Sequence, residues 1–121
     1  MTPEAEKQRL EITRGDSAKW KFRRLDNNNE PILVKADKVY FTVKNSFEDS
    51  DAVFQKTIDD MEFDNEGYYS FTVDPDDTNG LPFGYYVFDV EVIIEGIDYK
   101  KTIAKGDFII KEEATSVENE V

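Results

Sequence analysis

The 121-residue sequence contains no cysteine and no histidine. Their absence excludes disulfide bridges, thiolate nucleophiles, serine–histidine relays, haem ligation and the usual zinc sites. Positive charge is scarce too: 15 Lys and Arg stand against 27 Asp and Glu, a net charge of −12. Phosphate backbones and anionic lipid repel so acidic a chain, so neither nucleic acid nor membrane is an expected partner. Glycine and proline number only 6 and 4, and they punctuate apolar stretches without forming low-complexity tracts. No window nears the roughly 18 apolar residues of a membrane helix. The N-terminus, Met1-Thr2-Pro3-Glu4-Ala5-Glu6-Lys7-Gln8-Arg9, is polar throughout, which argues against a signal peptide.

What the sequence has in abundance is alternation. Leu10 and Ile12 alternate with Glu11 and Thr13, and Ala18, Trp20 and Phe22 with Lys19, Lys21 and Arg23. Val39, Phe41 and Val43 share one face, as do Tyr69, Phe71 and Val73, and later Phe108 and Ile110. The longest run, Tyr85 to Glu95, aligns Tyr86, Phe88, Val90, Val92 and Ile94 against Asp89, Glu91 and Glu95. A period of two is the signature of half-buried strands, and helical periodicity is nearly absent. Val53 to Met61 is read as one more, shorter strand.

Turn chemistry separates these runs. Arg14-Gly15-Asp16, Asp26-Asn27-Asn28-Asn29-Glu30-Pro31, Asp64-Asn65-Glu66-Gly67 and Glu95-Gly96 all read as reversals. Lys105-Gly106-Asp107 falls inside the last alternating run and predicts a bulge or sharp bend. The expectation is an all-β protein, an immunoglobulin-like antiparallel β-sandwich of about seven strands. Residues 9–112 form it, between a flexible N-terminal tail at 1–8 and a flexible acidic tail at 113–121. By surface scaling, a chain of this length buries about two-thirds of its area, enough for one core. Trp20 is the expected central ring. Tyr86, two residues before the inward Phe88, stands where a tyrosine corner belongs.

The same elements carry a resemblance. Arg14-Gly15-Asp16, Asn29-Glu30-Pro31-Ile32, Pro75-Asp76-Asp77-Thr78-Asn79-Gly80-Leu81, Gly84-Tyr85-Tyr86-Val87-Phe88-Asp89-Val90 and Gly106-Asp107-Phe108 follow one another in order. In that order they resemble the immunoglobulin-like domains of phage and prophage structural proteins, in particular the N-terminal domain of the baseplate upper protein family. The similarity runs from about Leu10 to Lys111. It implies a non-enzymatic structural or assembly module of a tail or baseplate, working through contacts with other virion proteins or with copies of itself. It also implies a location in the virion, or in the host bacterial cytoplasm before assembly. A carbohydrate- or calcium-dependent ligand-binding sandwich is the alternative from another class.

Arg14-Gly15-Asp16 matches an adhesion tripeptide, but a glycine turn between strands is the default. Acids cluster at Glu48-Asp49-Ser50-Asp51, at Asp59-Asp60-Met61-Glu62-Phe63-Asp64 and at Asp74-Pro75-Asp76-Asp77. Calcium needs six to eight converging oxygens, and loop acids are more often simply solvated. Asp89 and Glu91 share a strand face as a hydrolytic pair would, as any acidic surface strand does. No catalytic, cofactor-binding or metal-binding residue is therefore assigned. Lys19, Lys21 and Arg23 form a basic stripe expected to face Asp89 and Glu91 across a sheet. With the outward rings of Tyr40, Tyr68 and Tyr85, they make up the candidate contact surface.

Overall fold

Alternation becomes a strand wherever it is sustained over five residues or more. The computed structural model describes residues 7–33, 36–59 and 63–112. It contains β1 (Lys7–Thr13), β2 (Ala18–Phe22), β3 (Lys38–Lys44), β4 (Phe54–Asp59), β5 (Tyr69–Val73), β6 (Gly84–Ile94) and β7 (Tyr99–Lys111). A five-stranded sheet in the order β1-β7-β6-β3-β4 faces a two-stranded sheet, β2-β5. The all-β sandwich of seven strands is the fold. Its ladders are antiparallel except for β1 against β7, which is parallel. Because Lys7 pairs with Lys105, β1 starts two residues inside the stretch read as tail at 1–8. The readings of 1–6 and 113–121 as tails, and of Asp60-Met61 as strand, lie outside the described residues.

The inward residues meet in one aromatic layer. Phe41 on β3 is fully buried. Its ring contacts those of Trp20, Phe22, Phe54, Phe71, Phe88 and Phe108 at centroid separations of 5.6–6.3 Å. Val39, Val43, Val73, Val90 and Val92 close around that layer and are inaccessible to solvent. This corrects the expectation for Trp20, which is only half-buried against the core. β2 sends Phe22 into the centre instead, where its ring meets those of Phe41, Phe71 and Phe88, while the Trp20 ring rests against Phe41 and Phe108 with part of its surface left exposed.

One turn assignment also changes. Lys105-Gly106-Asp107 interrupts nothing, since β7 runs unbroken and the register shift lies between Val90 and Glu91, opposite Ala104 and Thr102. Gly106 is needed for a different reason: it faces Gln8 of β1, and a Cβ there would overlap the Gln8 carbonyl oxygen and stand 2.6 Å from its nitrogen. The parallel first-to-last pairing exists because that position has no side chain. The Glu95-Gly96 reversal stands between β6 and β7 as a 3-10 turn over Glu95–Ile97, closed by Asp98 in the left-handed conformation (φ 54°).

One end of the sandwich is closed by the segment between β5 and β6. A single helical turn, α1 (Pro75–Asn79), begins with the Asp74 N–H donating to the Asp77 carboxylate at 2.8 Å. Thr78 is fully buried, and its Oγ1 accepts the Gly15 N–H at 2.9 Å. Arg14 donates to the Leu81 carbonyl at 3.2 Å and lies over the Phe83 ring. The Arg-Gly-Asp turn is thus docked on the end cap through its first two residues. Tyr86 is buried and donates its hydroxyl to the Pro82 carbonyl at 2.5 Å, the corner its position predicts. Lys56 points inward on the edge strand β4 and bonds Asp77 at 2.7 Å, with Asp74 at 3.7 Å. An inward charge on an edge strand also discourages pairing with foreign strands.

Gly106→Ala should lower unfolding stability by about 1–3 kcal/mol, the usual cost of overpacking. Hydrogen exchange should show protection lost first along β1, and an unmoved denaturant midpoint would refute the close-approach argument. Tyr86→Phe should cost about 1 kcal/mol, the worth of one part-buried hydrogen bond, read as a lower denaturant midpoint with unchanged slope.

Candidate contact surface

The sandwich divides the residues expected to form one contact surface between two faces. Tyr40, on β3, is half-buried on the outer face of the five-stranded sheet, paired with Thr57 on one side and Glu91 on the other. Tyr85 opens β6 on that same face, 74% exposed and opposite Ile109. Tyr68, Lys19, Lys21 and Arg23 lie on the two-stranded sheet or at its end. The basic stripe therefore does not face Asp89 and Glu91. β2 pairs with β5, and β6 pairs with β3 and β7, so a whole core separates the two groups. Alternation assigns a residue to a side of its own strand but does not say which strands share a sheet.

Around Tyr68 the side chains converge. The Arg23 guanidinium sits 4.5 Å from its ring centroid, and the Lys21 ammonium lies 5.7 Å away. Lys21 also approaches the Asp64 carboxylate at 3.9 Å, and Arg23 donates to the Glu66 carbonyl at 3.4 Å. Ile58, Phe63, Asp64, Tyr68 and Ser70 line an open cleft of about 450 Å³ beside this cluster. Phe63 is fixed edge-on against the buried Tyr69 ring at 5.7 Å. Arg24, next along the chain, turns into the protein, donating to the Tyr69 hydroxyl at 3.3 Å.

The cleft wall is built by a local device. Asp64 accepts the N–H groups of Glu66 and Tyr68 through one carboxylate oxygen, at 2.9 and 3.0 Å. Its own N–H donates to the Tyr68 carbonyl, and Gly67 (φ 85°) donates to the Asp64 carbonyl. The bond from the Tyr68 N–H, then that from Glu66, with Lys21 and Arg23 nearby, holds the Asp64 carboxyl below its ordinary range. The Asp26 turn repeats the arrangement, with Asn28 and Glu30 as donors and Asn29 (φ 63°) in place of the glycine. In sequence, the aspartate three residues ahead of a Gly or Asn is the visible signal. Ile58, Phe63 and Ser70 carried no such signal, and nothing in the sequence marked them as cleft residues.

On the opposite face, Asp89 is half-buried in the middle of the five-stranded sheet. Burial, and then the neighbouring Glu91 charge, push its carboxyl above the ordinary range, against the pull of Lys44 and Lys100. Glu91 lies 3.9 Å from the Lys100 ammonium. The two carboxylates sit on the open outer face of the sheet. Among the described residues no three His, Cys, Asp or Glu side chains group as a metal site; Asp60 and Glu62 of the second acidic cluster fall outside those residues. Among the described residues, too, no helix is long and apolar enough to cross a membrane. Comparison with protein-family models, curated proteins and solved structures finds no match for this chain.

Asp89→Asn should stabilise the protein at pH 7, because it removes a charge that folding partly desolvates. A carboxyl raised by folding costs stability above its folded pKa and costs nothing below the ordinary value of 3.8. The gain should therefore fade as pH drops through that window. Thermal melts of both proteins from pH 3 to pH 7 check this; a gain that persists at pH 3, or none at pH 7, would contradict it.

Proposed function

We propose that this chain is a non-enzymatic assembly module with an immunoglobulin-like fold, of the kind built into phage or prophage tails and baseplates, and that it works through protein–protein contacts. The observation that carries the reading is the cationic, aromatic outer face of β2 and β5 on a chain of net charge −12. A local reversal of charge with a rigid ring at its centre favours docking a polypeptide over performing chemistry. The immunoglobulin-like assignment draws support from the sheet partition. The second and fifth strands stand together, against the third, sixth and seventh, as in such sandwiches. The tyrosine corner at the start of β6 adds to it. The particle assignment draws on the ordered turn and strand motifs from Arg14 to Phe108.

The experiment is direct. Particles banded from cultures carrying the gene should contain this chain at a fixed copy number relative to the other structural proteins, measured by quantitative mass spectrometry. Recovery of the chain only from the soluble fraction, with none in the particles, would overturn the role.

A further inference from the structure

Of the asparagines in the sequence, only Asn79 precedes a glycine. The Asn79-Gly80 linkage ends α1, the turn that closes one end of the sandwich, and both residues are exposed. A Cβ added at Gly80 would meet no atom within 4 Å, so the fold leaves the space around that residue open. Among the described residues, no group hydrogen-bonds the Asn79 carboxamide. Its Oδ1 lies over Gly15, 3.0 Å from where a Cβ there would stand. As the last residue of α1, Asn79 has a carbonyl without an intrahelical partner, and no following turn holds its main chain.

Asparagine is a thermolabile side chain because its Cγ lies within ring-closing reach of the next residue's amide nitrogen. Every side chain larger than a hydrogen atom crowds that approach, and Gly80 has none. We propose that Asn79-Gly80 is a site of covalent self-modification that unfastens the end cap. Hydroxide removes the Gly80 amide proton, and the nitrogen attacks the Asn79 Cγ. The new N–Cγ bond forms as the Cγ–Nδ2 bond breaks, and ammonia leaves with a proton taken from water. The product is a cyclic imide. Water then opens it on either side. Attack at Cγ breaks the new bond and leaves an aspartate in an ordinary main chain. Attack at the main-chain carbonyl leaves an isoaspartyl linkage, in which the chain runs through Cβ and Cγ. Water and hydroxide are the only co-reactants.

The residues on either side of the linkage are the ones that fasten the cap. Thr78 is fully buried and accepts the Gly15 N–H, while the Leu81 carbonyl accepts Arg14. The Leu81 N–H also bonds back across the linkage, to the Thr78 carbonyl at 2.9 Å. An extra main-chain carbon between positions 79 and 80 cannot keep all three bonds in place. The isoaspartyl product therefore releases the cap from the Arg-Gly-Asp turn. The aspartyl product changes charge alone and keeps the cap docked.

Peptide mapping of the full chain, kept in warm, mildly alkaline buffer and sampled over weeks, reads the outcome. The peptide carrying Asn79 should gain about 1 Da. It should do so at least about tenfold faster than peptides carrying Asn45 and Asn65, which are likewise exposed. Asn45 precedes Ser46 and Asn65 precedes Glu66, so both serve as internal references. Gly80→Ala should slow the conversion by at least about tenfold. Its circular dichroism should be unchanged, because a φ of −89° suits alanine and the space is open. The isoaspartyl product, separated by ion exchange, should unfold at a lower denaturant concentration than fresh protein. Asn79→Asp should stay close to fresh protein, and aged Gly80→Ala should keep its midpoint. An Asn79 that converts no faster than Asn45 or Asn65, or that ignores Gly80→Ala, overturns the site. An isoaspartyl product as stable as fresh protein, or an Asn79→Asp protein weakened equally, overturns the release of the cap.

Discussion

The structure depends on one ring. Phe41 is the point at which both sheets meet, touching Phe22 and Phe71 from the two-stranded sheet and Phe54, Phe88 and Phe108 from its own. Offset and edge-on aromatic pairs add about 0.5–1.5 kcal/mol each beyond the area they bury. In a sandwich without cysteine, such contacts do the joining. Phe22 of β2 and Phe88 of β6 face each other at 6.1 Å, spanning the two sheets. A two-stranded sheet is marginal alone. Here β2 and β5 persist because their inward rings are locked into a layer anchored on β3.

Around that layer the acidic surface is distributed with some order. At the α1 end, Asp74 and Asp77 hold Lys56, so part of the negative charge also guards the β4 edge. Asp26 and Asp64 use their carboxylates to satisfy backbone N–H groups and shape loops at the other end. Lys19, Lys21 and Arg23 gather on the outward face of β2, with uncharged Ser70 and Thr72 opposite Lys21 and Lys19 on β5. The net charge of −12 therefore conceals a local cationic face. Such an arrangement gives an association orientation as well as strength.

Strand positions, inward faces, the tyrosine corner and most turns were determined by the sequence itself, because all of them follow from local rules. Side chains alternate along a strand, glycine and aspartate favour particular turns, and a tyrosine two residues before an inward phenylalanine reaches back to the preceding loop. The sheets were not local. Whether β2 lies beside β6 or across from it depends on which pairing buries the most ring surface, and alternation is the same in either arrangement. That is why the basic stripe appeared to face Asp89 and Glu91, from which the core separates it. The role of Gly106 was hidden for the same reason: a glycine inside a strand marks a bulge or a close neighbour alike, and only the parallel docking of β1 decided between them. The Tyr68 cleft arises where β4, the Asp64 turn and β5 come together, residues far enough apart in the chain that only packing could bring them to one place.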